Sequence, residues 1–148
     1  MTGFVAISAA ALLSGILDLS ATSSIMKAQG TSFERLLQGI ASGALGKSSF
    51  QGGKKTAALG LFFHFFIAFV ATLIYYESSR RFLVLIDHPF ISGALYGIAI
   101  HLVMSRIVLP LSAAPKREFS AKAFLTQLLI HIIFVGLPIA LTVSHLSR

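Results

Sequence analysis

The sequence predicts an all-α integral membrane protein: a four-helix bundle with one short interfacial amphipathic helix between spans 1 and 2. Three observations carry this. Of 148 residues, 55% are hydrophobic and 11% charged, less than half of the roughly 25% charge usual in a soluble domain. The apolar residues fall into long runs, at about 4–26, 56–76, 90–111 and 121–143. Each run is near the ~20 residues an α-helix needs to cross about 30 Å of hydrocarbon. The basic residues collect just outside those runs, where headgroups meet them. Four spans and their connections use nearly all of residues 1–148, so a single transmembrane domain is expected.

The formal charge is +7. In a soluble chain that excess would point to nucleic acid; beside apolar runs it points to anionic lipid headgroups and to topology. Nucleic acid is therefore not expected as a partner. The absence of cysteine excludes disulfides, thiolate metal sites and a cysteine nucleophile.

The first run, Phe4 to Met26, carries Asp18 and lacks a basic leader, which favours a span over a cleaved signal. Ala11, Gly15, Asp18 and Thr22 step by three or four and share a face. In TSFERLLQGIASGALG, Thr31 and Glu34 match a capping box. An apolar stripe from Phe33 to Ala44 then predicts a helix over about 32–45, too short to span. The following GKSSFQGGKK contains GKS, but Ala41 stands where a phosphate-binding loop needs glycine and no strand precedes it.

The second run, TAALGLFFHFFIAFVATLIYY, carries no Asp, Glu, Lys or Arg, and no charge except that of a protonated His64. Ala57, Gly60, His64, Ala68, Ala71 and Tyr75 line one face, and its phenylalanines occupy the rest, toward lipid and core. Tyr75 and Tyr76, near its end, read as interfacial anchors. Pro89 suits the first turn of the third span. There Gly93, Gly97, His101 and Ser105 recur every four residues, so a second helix can approach closely. In the fourth span Gln127, His131, Pro138 and Thr142 are placed on one side, and Pro138 leaves the Phe134 carbonyl without its helical partner, so a kink or a side-chain partner is expected there.

Loops one and three hold Lys27, Arg35, Lys47, Lys54, Lys55, Lys116, Arg117 and Lys122. The positive-inside rule then puts both termini on the periplasmic side.

Asp18 and His64 each lie eight residues from the loop-one ends of their runs, and His101 and His131 ten from the loop-three ends. At 1.5 Å per residue these are depths of roughly 12 and 15 Å, one layer of the membrane. Ionisable groups at such depth cost several kcal/mol unless paired, which makes the four a candidate site. They suit a divalent metal shell, axial ligation of haem, a proton path or hydrogen-bonded glue between helices. Ser105 and Gln127 are candidate supporting groups, as is Arg106, which can pair with Asp18 if the third span is rotated suitably. Gly15, Gly60, Gly93 and Gly97 are the expected packing positions.

GILDL, LQGIASGALGKSSFQGG, TAALGLFFHFFIAF, HPFISGALYG, VLPLS and HIIFVGLPIAL, in that order, resemble an uncharacterised family of small bacterial four-span inner-membrane proteins. The resemblance implies a bacterial inner-membrane protein of this layout and carries over no activity, cofactor or catalytic residue. With little polar machinery outside the spans, the expectation is a non-enzymatic accessory or stabilising subunit of a larger membrane complex. The alternatives are a haem- or metal-binding membrane protein using the buried histidines and a small proton or solute transporter.

Overall fold

In a computed structural model describing residues 2–147, the chain is helical and holds four helices long and apolar enough to cross a membrane. The first is α1 (Thr2–Ala28). A short α2 (Phe33–Leu45) and a 3₁₀ turn (Gly46–Gln51) lead to the second, α3 (Gly53–Arg81). After the single turn α4 (Val84–Asp87), the third span comprises α5 (Pro89–Val103), a π segment (Met104–Val108) and α6 (Leu109–Leu111). The fourth comprises α7 (Ala121–Ile130), a second π segment (His131–Gly136) and α8 (Leu137–Leu146). It is a multi-pass membrane protein whose outward side chains, Phe62, Phe66, Ile91 and Leu95 among them, are apolar and exposed, as contact with lipid requires.

The second span runs beyond the apolar stretch at both ends, taking in Lys54, Lys55, Arg80 and Arg81. Long basic side chains at a span's ends can reach the headgroups while their backbone stays helical. The cap of α2 also differs from the sequence expectation. Ser32, not Thr31, is the N-cap, its hydroxyl accepting from Arg35 N at 3.2 Å. Glu34 instead accepts from Gln38 one turn later.

Around the bundle the spans run second, first, fourth, third: α1 packs on α3 and α8, and α5 packs on α8 and the second π segment. Small residues set these distances. A Cβ on Gly97 would stand 2.5 Å from His131 O and 2.6 Å from Ile132 Cα, and one on Gly136 would collide with Gly93 O. Only glycine lets the third and fourth backbones touch there. Gly60 likewise admits the Leu37 carbonyl, which seats α2 on α3. The main core joins Ala10, Tyr75, Val135, Ile139, Ala140 and Val143; a second joins Leu19, Leu36, Leu37 and Ala57.

The amphipathic helix α2 is more than a surface element. It buries Leu36, Leu37, Gln38, Ala41 and Ser42, and beyond its contact with α3 it reaches loop three. There Ala113 N donates to Gly43 O at 2.9 Å. Helix α2 therefore lies across the loop-one and loop-three end of the bundle.

Both prolines inside the spans follow a π segment. The residue before Pro110, Leu109, donates to Met104 O, and the residue before Pro138, Leu137, donates to Ile132 O. Each is a bond to the fifth residue back, the widened turn in which helices accommodate an interruption. The extra residue turns the fourth span on its axis. Its fully buried face becomes Ile139, Ala140 and Val143, while Gln127, His131, Pro138 and Thr142, expected to share one side, are only half-buried.

Candidate functional site

The four ionisable residues of the predicted layer form two separate contacts. In the first, His64 on α3 donates from Nε2 to Gly15 O on α1 at 2.8 Å. A carbonyl can only accept, so this nitrogen carries the hydrogen. Gly15 is needed at that crossing because a Cβ there would stand 2.7 Å from the Phe65 ring. Asp18, one turn further along α1, is half-buried and accepts from Thr22 Oγ1 at 3.4 Å. His64 lies within electrostatic reach of it.

In the second contact, His101 on α5 and His131 at the start of the second π segment face each other, their Nδ1 atoms 3.1 Å apart. That distance holds one shared hydrogen, one ring donating and the other accepting. His101 is only 3% exposed. The Phe124 ring packs edge-on against it with centroids 4.5 Å apart. Its second nitrogen, Nε2, is buried and finds no partner among the described residues, and the same holds for Ser105 Oγ one turn further along the helix. A buried polar atom left in this way costs about 1–3 kcal/mol. His64 lies within electrostatic reach of His131.

These placements correct two expectations. Arg106 does not reach Asp18. It is exposed, on the outward side of the third span, with its guanidinium carbon 5.5 Å from the centre of the Phe124 ring. The rotation that buries His101 and Gly97 on that span carries Arg106 away from the bundle axis. Nor do the four residues converge on one point: among the described residues no three His, Asp or Glu side chains are gathered as a metal shell. The two Nδ1 atoms at 3.1 Å also stand too close to flank a haem iron, which needs about 4 Å between opposed ligands at ordinary metal–nitrogen lengths. Gln127 is half-buried one turn before His131, and its carbonyl lies near that ring.

Three further polar contacts tie the spans together, and sequence reading missed them. Tyr75, expected as an interfacial anchor, is 2% exposed and donates to Leu85 O at 2.9 Å. Tyr96 donates to Ala71 O at 2.6 Å, joining the third span to the second, and its ring lies 5.0 Å from that of Tyr75. Ser144 donates to Ile86 O at 2.7 Å. The one available signal was that Tyr75 shares a helical face with Gly60, Ala68 and Ala71. Membrane-buried hydroxyls take whatever carbonyl is near, since water is absent.

No protein-family model, curated protein or solved structure matches this chain.

Proposed function

We propose that this chain is a non-enzymatic component of a bacterial inner membrane, an accessory or stabilising subunit of a larger membrane complex. The observation that carries the reading is how the polar groups inside the bundle are used. His64, Tyr75, Tyr96 and Ser144 each hold a backbone carbonyl of another helical element, and His101 holds His131. Interhelical polar contacts of this kind are worth about 0.6–2 kcal/mol each, so together they make a rigid body that a partner can rest on.

Arg106 supports assembly. It places a permanent charge on the outward face of the third span, and the one ion pair among the described residues, Arg80 with Glu77, lies elsewhere. A partner's carboxylate or an anionic headgroup would neutralise it. Loops one and three, rich in Lys and Arg, lie in the cytoplasm on this reading, beside anionic lipid, with both termini periplasmic.

The test is mild solubilisation from the native membrane. A partner should co-purify in fixed ratio with the wild-type chain and be lost from a folded Arg106→Leu variant. A lone monodisperse species from native membrane would refute the subunit reading.

A further inference from the structure

We propose that the His101–His131 pair is a proton-binding site of the membrane interior, loaded from the loop-three face past Phe124 by way of Ser105. It goes beyond the subunit reading and does not depend on it.

The pair is built to take one more proton. Its Nδ1 atoms, 3.1 Å apart, already share a hydrogen. A second hydrogen between them would set two N–H groups against each other. With His101 Nδ1 donating the shared hydrogen to His131 Nδ1, His101 Nε2 carries none and is the free position, buried and unpartnered. When a hydronium ion gives its proton there, an O–H bond breaks, an N–H bond forms and a water is released. The His101–His131 bond becomes an imidazolium donating to a neutral imidazole, and charge-assisted bonds of that type are roughly twice as strong as neutral ones. His131 stays neutral, so the pair's capacity is one proton.

The route follows from what surrounds His101. Ser105, with its own unpartnered hydroxyl, is the next polar group toward the loop-three end of the same span and can hand a hydrogen on in either direction. Phe124 covers the imidazole, and Phe119 packs on Phe124 with centroids 5.8 Å apart. The charged or titratable groups within electrostatic reach of the pair are Arg106 on the third span, its guanidinium turned outward beside Phe124, and His64 on the second; Asp18 on the first lies within reach of His64.

The experiment uses the full chain, labelled with ¹⁵N-histidine, in lipid nanodiscs. Nitrogen NMR of the rings should show a coupling through the hydrogen bond between the two Nδ1 atoms. Between about pH 8 and 4 the pair should take up one proton, at His101. In Phe124→Ala, exchange of the His101 ring hydrogens with water should speed up at least tenfold, and Ser105→Ala should slow it. Unchanged His64 signals show in each variant that the bundle is folded. Two protons taken up by the pair, none taken up in wild type and Phe124→Ala alike, or exchange indifferent to Phe124→Ala and Ser105→Ala would each overturn the proposal.

Discussion

Gly97→Ala adds a single methyl group where two backbones meet. That Cβ would lie 2.5 Å from His131 O and 2.6 Å from Ile132 Cα, whereas ordinary contact begins at 3.4 Å. Neither neighbour is a side chain that can rotate away, so the third and fourth spans must separate by about 0.9 Å at this level. Overpacking of this kind costs about 1–3 kcal/mol. The same displacement stretches the 3.1 Å His101–His131 contact, one turn along, beyond hydrogen-bonding range and removes a further 0.6–2 kcal/mol or so. Alanine returns about 0.5–1 kcal/mol through its helix preference. The net loss expected is roughly 1–4 kcal/mol.

Reversible unfolding in bicelles measures it. Gly39→Ala supplies the control: it makes the same chemical change inside α2, where a Cβ meets nothing within 4 Å. That variant should be neutral or stabilised by up to about 1 kcal/mol. If Gly97→Ala were as stable as wild type while Gly39→Ala behaved as stated, the backbone contact between these spans would be wrong.

The same unfolding assay checks two more expectations. Tyr96→Phe removes the hydrogen bond to Ala71 O that joins the second and third spans and should cost about 0.5–1.5 kcal/mol; no loss would mean the hydroxyl is satisfied elsewhere. His64→Ala and His131→Ala break contacts on different helix pairs. Their costs should add to within about 0.5 kcal/mol, and a coupling above ~1 kcal/mol would show the four-residue layer to be one unit after all. Topology can be read by thiol labelling, because the chain has no cysteine of its own. In intact cells an impermeant maleimide should modify Ser147→Cys and spare Ser48→Cys, both exposed positions; the reverse pattern refutes the orientation.

What sequence made legible here is governed by hydrophobicity and helical period. Four runs gave four spans, with ends misplaced by a few residues wherever basic side chains could ride on the helix past the hydrocarbon, as at Arg80 and Arg81. The inward face of the second span was readable because small residues at Ala57, Gly60 and Ala68 mark a close neighbour. The fourth span was misread for a definite reason. A steady 3.6-residue period put His131, Pro138 and Thr142 on one side, and the π segment starting at His131 shifts everything after it. The partner of His64 was out of reach for another reason: a backbone carbonyl such as Gly15 O is present at every residue, so nothing in the sequence singles it out. Depth alone brought Arg106 and Asp18 together, and depth says nothing about rotation.

The order of spans around the bundle also constrains how the protein is made. The first span finds the second beside it early in synthesis, but its other neighbour, α8, belongs to the fourth. Until that last segment leaves the ribosome, Ala10, 0% exposed in the finished fold, lacks the Val135, Ile139, Ala140 and Val143 side of its core and has only Tyr75 of the second span to pack on. The half-built protein therefore presents to the insertion machinery or to lipid a seam on the first span that includes Ala10. Closure comes late and in one step. Helix α2 can seat on the second span through Gly60 and Leu37 as soon as that span is in place, but its tie from Gly43 to Ala113 cannot form before the third span has crossed. A nascent chain stalled between the third and fourth spans would be a natural substrate for membrane quality control.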